Sequence, residues 1–227
     1  MKRVLFASIG LVALALSGPA GAADMQRRGA APAAAPVYMP VAYNWSGFYA
    51  GIVGGYGFGS SNWTDSLGST GDFDVDGGML GGTLGFNWQN GPMVFGLETD
   101  LAWSDLSGST GITCPLGCET RNNWLGTTRG RLGYAVDRFM PFVSGGLAYG
   151  DLEANVPGFR GADDTNLGWT VGAGAEFAIA GNWTAKGEYL YVDLGDLNCS
   201  AANCGGAGAT KIDFTSHVLR AGLNYRF

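Results

Sequence analysis

GMLGGTLGFNWQNGPMVFGLETDLAWS, residues 78–104, carries two runs of alternating polarity joined by Gln89-Asn90-Gly91-Pro92. In the first run Leu80, Leu84, Phe86 and Trp88 share one face, and Gly81, Thr83, Gly85 and Asn87 share the other. In the second, Phe95, Leu97, Leu101 and Trp103 stand opposite Glu98, Asp100 and Ser104. A period of two marks a β-strand whose faces meet different surroundings, and Asn-Gly is hairpin chemistry. A helix would repeat its apolar residues every three to four positions, and neither run does. The stretch predicts an antiparallel hairpin with one apolar wall and one polar wall.

The same alternation recurs along the chain. Eight runs stand out, at 47–58, 78–88, 93–104, 123–134, 140–150, 166–179, 183–194 and 211–227. Each reaches or exceeds the roughly 9–11 residues that a tilted strand needs to cross a bilayer. Short connections at 89–92, 135–139 and 180–182 alternate strictly with long polar ones at 59–77, 105–122, 151–165 and 195–210. That alternation predicts an all-β fold, an eight-stranded antiparallel transmembrane β-barrel with short periplasmic turns and long extracellular loops. Both chain ends then lie in the periplasm. The run from Met140 leaves open which way Pro141, Val143, Leu147 and Tyr149 face.

The N-terminus fits an exported chain. Lys2 and Arg3 precede an apolar run from Val4 to Leu16, and Ala20-Gly21-Ala22 offers a small-residue cleavage site, so residues 1–22 read as a signal peptide. The apolar run is shorter than the roughly 20 residues of a membrane helix. Residues 23–43 form an Ala/Pro-rich tail in which Pro32, Pro36 and Pro40 oppose helix formation, and the barrel takes 44–227. Composition agrees, with 40 Gly among 227 residues, 12% aromatic and only 14% charged. Without Lys2 and Arg3, 11 basic residues face 19 acidic ones, a net charge of −8 that disfavours nucleic acid as a partner.

The polar faces carry a charge constellation. Glu98, Asp100, Glu176 and Glu188 balance Arg129, Arg131, Lys186 and Arg220 on strands three, four, six, seven and eight. An eight-stranded barrel is only wide enough for side chains to fill it, so these eight predict a lumen plugged by salt bridges. An ion-selective gate is the functional alternative. Cys114 and Cys118 in the second long connection, and Cys199 and Cys204 in the fourth, predict two local disulfides in an oxidising compartment. Neither pair has the partners or spacing of a zinc site. Asp72, Asp74 and Asp76 share one face of an extended segment but lack the glycine and terminal glutamate of an EF-hand, so they read as a solvated acidic hairpin.

His217, the sole histidine, falls on the face of Leu219 and Phe227, while Ser216 points away. No nucleophile–base pair, metal site or cofactor motif emerges, and the chain reads as a non-enzyme without cofactors. It ends in HVLRAGLNYRF, whose Leu223, Tyr225 and Phe227 form the alternating aromatic terminus of outer-membrane barrels, a signal for the barrel-assembly machinery.

NWSGFYAGIVGGYGFG (44–59), TTRGRLGYAVDRFMPFVSGGLAYG (127–150), GWTVGAGAEFAIAGNWTAKGEYLYVDLG (168–195) and HVLRAGLNYRF (217–227) together resemble the small outer-membrane β-barrels of alphaproteobacteria, the outer-membrane immunogenic proteins or porin-family surface antigens. The resemblance covers nearly all of the chain from Asn44. It implies an abundant Gram-negative outer-membrane protein that supports envelope integrity and is a surface antigen. Outer-membrane lipid and lipopolysaccharide are the expected partners, and the chain is expected as a monomer. It brings two alternatives, a narrow porin for small solutes and a loop-borne binder of haemin or a host component. No catalytic residue carries over, and the loop cysteine pairs are not a general feature of the family.

Overall fold

A computed structural model describes residues 43–227 except 67, 112–116 and 205–209. The expected signal peptide, nearly all of the tail, and Cys114 lie outside the described residues.

Eight antiparallel strands pair in chain order, and the eighth closes onto the first. They are β1 (Gly47–Thr64), β2 (Ser69–Asn90), β3 (Met93–Thr110), β4 (Cys118–Tyr134), β5 (Phe139–Asn155), β6 (Ala162–Ala180), β7 (Trp183–Cys199) and β8 (Thr210–Arg226). A four-residue helix, α1 (Ala201–Cys204), lies between β7 and β8. At the turn end, Gly91 and Gly181 adopt φ of 59° and 53° in their tight turns, and Asp137 takes φ of 51° between β4 and β5. Glycine enters that left-handed region without a Cβ clash.

Alternation sorts every strand. Leu80, Leu84, Phe86 and Trp88 face outward and are exposed, while Thr83 and Asn87 are buried inside. Phe95, Leu97, Leu101 and Trp103 point out, whereas Glu98 and Asp100 point in. On β5 the open question resolves. Val143 and Leu147 face outward, opposite buried Met140, Phe142, Ser144 and Ala148.

The strands outrun the sequence-based expectation. They run from 17 residues in β4 to 22 in β2, so much of what reads as long polar loops continues the ladder. The loop-end connections shrink to 65–68, 111–117, 156–161 and 200–209. The reason is an inversion of polarity that β2, β5 and β8 display along their length. On β2 the outward positions change from Asp72, Asp74 and Asp76 to Leu80, Leu84 and Phe86, while the inward ones change from buried Val75 and Met79 to Thr83 and Asn87. On β8, Lys211 and Asp213 lie outward beside inward Ile212 and Phe214, and further along Leu219 lies outward beside inward Arg220. On β5, Asp151 and Glu153 flank inward Leu152 and Ala154. The loop-end half is built like a soluble barrel and the turn-end half like a membrane barrel. Backbone pairing needs no lipid, so the ladder continues past the apolar band.

Inward glycines make room for long side chains. A Cβ on Gly85 would run into the Tyr49 ring, and one on Gly96 into the aliphatic stem of Arg131. Gly85→Val therefore displaces Tyr49, and urea titration of the refolded protein should show a loss of about 1–3 kcal/mol, typical of overpacking. Gly187→Val, where a Cβ meets nothing within 4 Å, should fall well short of that.

Candidate functional site

The lumen is filled in three layers, and the middle one holds the charges. Strands β3, β4, β6, β7 and β8 aim Glu98, Asp100, Arg129, Arg131, Glu176, Lys186, Glu188 and Arg220 inward, all 6% exposed or less. Arg129 sits at the centre. Its Nη2 lies 2.6 Å from Glu98 Oε1 and 2.9 Å from Asp100 Oδ2, and its Nη1 donates to Glu188. Arg220 grips Asp100 with both guanidinium arms at 2.9 Å each, and its Nε donates to Glu188 at 2.9 Å. Lys186 Nζ donates to both oxygens of Glu98 at 2.7 Å. Arg131 reaches Glu176 at 2.6 Å and lies over the Phe142 ring, 4.2 Å from its centroid.

Neutral groups complete the valences. Tyr49 donates its hydroxyl to Glu98 at 2.7 Å, Thr127 to Asp100 at 2.8 Å, and Thr184 to Glu176 at 2.5 Å. Asn224 donates to Glu176 at 3.1 Å, and Ser144 accepts from Arg129 at 3.0 Å. Four carboxylates and four cations leave the layer formally neutral, and every carboxylate meets at least one cation. Charge-assisted, partly bidentate bonding of this kind is what allows ions to remain buried.

Toward the loop end the lumen turns apolar. Trp63, Val75, Leu106, Leu152, Leu190, Val192, Leu194, Ile212 and Phe214 belong to one buried cluster drawn from strands around the barrel. Leu106 lies over Gly57, where a Cβ would meet its side chain. The cluster also contains Cys118, Cys199 and Cys204. Cys199 and Cys204 form a disulfide that staples α1 to the end of β7. The Gly161 amide donates to the Asn203 carbonyl at 3.0 Å and ties the β5–β6 connection onto α1. Cys118 is also disulfide-bonded. Sequence spacing alone gave no reason to place the second and fourth connections together, yet their cysteines share this cluster.

The third layer closes the turn end. Trp45, 2% exposed, packs with Val94, Met140 and Ala178. Its backbone N–H donates to Gln89 Oε1 at 2.8 Å and its indole N–H to the Asp137 carbonyl at 3.0 Å, so it is pinned to two turns. Sequence reading missed this residue because it precedes the first strand. An isolated Trp before Ser46-Gly47 gives no periodic signal. It also missed the apolar layer, whose signal is the exchange of polarity between faces.

The remaining candidate residues lie on the outer wall. Leu223, Tyr225 and Phe227 face outward, and the Tyr225 ring packs 5.1 Å from Trp183 and 5.5 Å from Phe227. His217 faces outward and Ser216 is buried inside, so the two do not face one another. Asp72, Asp74 and Asp76 share the outer face, where Asp72 accepts from Asn62 at 2.9 Å and Asp76 from the Tyr56 hydroxyl.

A closed eight-stranded cylinder with an apolar outer band and a packed, ion-paired interior defines a small outer-membrane β-barrel. The chain belongs to the outer membrane protein beta-barrel domain family, whose model matches residues 11–227. It is 42% identical over 250 aligned positions to the 31 kDa outer-membrane immunogenic protein of Brucella melitensis, covering all of both chains. It is 31% identical to the 25 kDa outer-membrane immunogenic protein of Brucella abortus, covering 100% of this chain and 99% of that one. Among solved structures, OprG of Pseudomonas aeruginosa has the same fold, with a TM-score of 0.52 at 15% identity over 80% of this chain and 97% of that one. The protein is thus an outer-membrane barrel of the alphaproteobacterial surface-antigen kind, in a Gram-negative envelope.

Arg129→Met leaves the lumen with an uncompensated carboxylate among Glu98, Asp100 and Glu188. Urea titration in lipid vesicles should show a loss of about 3–5 kcal/mol, the usual result of breaking a buried ion pair. Arg129→Met with Glu188→Gln should recover part of it, because the charge balance returns.

Proposed function

We propose that this protein is a non-conducting structural barrel that reinforces the outer membrane and carries its connections outward on a rigid rim. The observation that supports this is the inward packing among the described residues, with the Trp45 floor, the charge layer and the apolar cluster stacked along the lumen. An ion crossing the lumen would have to displace ion-paired side chains and then enter a dry layer, where an unpaired charge is very costly. The reading therefore disfavours a narrow porin.

The rim follows from strand length. An apolar band about 25 Å tall takes up roughly 9–11 tilted residues. The remainder of each strand, where the outer face turns polar, projects beyond the lipid toward the outside. On this reading, lipid and lipopolysaccharide surround the band, the turn end and both termini face the periplasm, and the assembly machinery recognises Leu223, Tyr225 and Phe227 during insertion. The barrel completes its own sheet, so one copy suffices. With Ser216 and His217 on opposite faces, no nucleophile–base pair forms there, and the protein is read as non-catalytic.

Planar-bilayer recording on purified, refolded protein tests the proposal. The expected record has no discrete, reproducible conductance steps. Regular steps that persist in protein verified as folded by its heat-modifiable gel mobility would overturn it.

A further inference from the structure

The turn end of the lumen is closed by a segment that belongs to no strand. Residues 43–46 lie outside the ladder, and β1 begins at Gly47. With no sheet bond of its own, this segment can leave the mouth of the barrel without unzipping a strand. It is also internally tied. The Ser46 amide donates to Asn44 Oδ1 at 2.9 Å, and the rings of Tyr43 and Trp45 meet edge-on at 4.9 Å. At the junction with β1, Gly47 takes φ of 131°, a backbone conformation that residues with a Cβ rarely adopt. Such a junction has the freedom of a hinge.

The segment is fastened at its sides. Besides the two bonds of Trp45, the Tyr43 amide donates to Asp137 Oδ1 at 3.3 Å, and Ser46 Oγ accepts from the Gln89 amide at 3.0 Å. Arg226 lies over the Tyr43 ring, 4.5 Å from its centroid. Closure leaves two polar atoms unsatisfied. The Tyr43 hydroxyl and Arg226 Nη1 are buried and have no hydrogen-bond partner among the described residues. An unpaired buried polar atom costs free energy that hydration returns, so the closed position carries a bias toward opening.

The foot of the charge layer lies just above. Trp45 packs on Val94, Met140 and Ala178, and the next inward positions on those strands are Gly96, Phe142 and Glu176. Gly96 seats the stem of Arg131, which bonds Glu176. We propose that residues 43–46 are a lid hinged at Gly47, which swings away as a unit and brings water at the turn end to the underside of Arg131 and Glu176. Arg129 and Arg220, deeper in the lumen, stay enclosed. The lid acts below the charge layer, so it stands apart from whether the lumen conducts.

Hydrogen exchange at the tryptophans, followed by NMR of the full barrel in nanodiscs, tests the lid. Trp45 and Trp63 are matched in the closed structure. They are 2% and 3% exposed, and each indole N–H donates at 3.0 Å, to the Asp137 carbonyl and to the Thr120 hydroxyl. Trp63 stands in β1, whereas Trp45 stands in the lid. The backbone and indole N–H of Trp45 should therefore share one low protection, about a hundredfold below that of the Trp63 indole. Tyr43→Phe removes the unsatisfied hydroxyl and should slow Trp45 exchange about fivefold, with Trp63 unchanged. Trp45→Ala frees the lid and should speed exchange at Arg131 Nε–H about tenfold, with Arg129 unchanged. Equal protection of the two indoles in wild type would overturn the lid. So would a Tyr43→Phe barrel, folded by its heat-modifiable mobility, in which Trp45 exchange does not slow. Joint loss of protection at Arg131 and Arg129 in Trp45→Ala would mean that the barrel opens as a whole, which also contradicts a hinged lid.

Discussion

An eight-stranded cylinder leaves no room inside for bulk water, so each inward charge must be met by an opposite charge from the lumen itself. That constraint shapes the whole molecule. Carboxylates enter the lumen only where guanidinium and ammonium groups from other strands reach them, as Glu98 is met by Arg129 and Lys186. Long side chains fit only where an opposing strand offers glycine, as Gly96 does for Arg131. The abundance of glycine and the balance of internal charge are two consequences of one narrow bore.

The same bore explains why the interior changes character along its axis. Within the lipid band the outer face must be apolar, and the inner face carries the polar residues. Beyond the band the outer face meets water and becomes polar, which frees the inner face to pack Val75, Leu152 and Phe214 as a conventional core. The stapled α1 turn closes that core, with Cys199 and Cys204 buried in it. Rigidity at the rim thus comes from soluble-protein packing, while rigidity in the membrane comes from ion pairs.

Much of this was legible in the sequence. Strict alternation around Leu84, Phe86 and Trp88, and the spacing of tight turns, specified eight strands and the lipid-facing wall. The eight luminal charges were readable because they fall on the period-two face opposite the mostly apolar wall. The strand extensions were not, because the apolar face that marks a strand becomes polar at Asp76 and Asp213. Trp45 was invisible for another reason. Its role arises from contacts with Gln89 and Asp137, more than forty and ninety residues away, which no local pattern encodes.

A lumen closed in this way keeps water from the ion-paired layer. Solution NMR of the barrel in nanodiscs, following arginine Nε–H resonances after transfer into D2O, addresses it directly. The sealed lumen predicts that Arg129 and Arg220 signals persist long after that of Arg121, whose side chain is 51% exposed, has vanished. Loss of all three at the same rate would contradict the account.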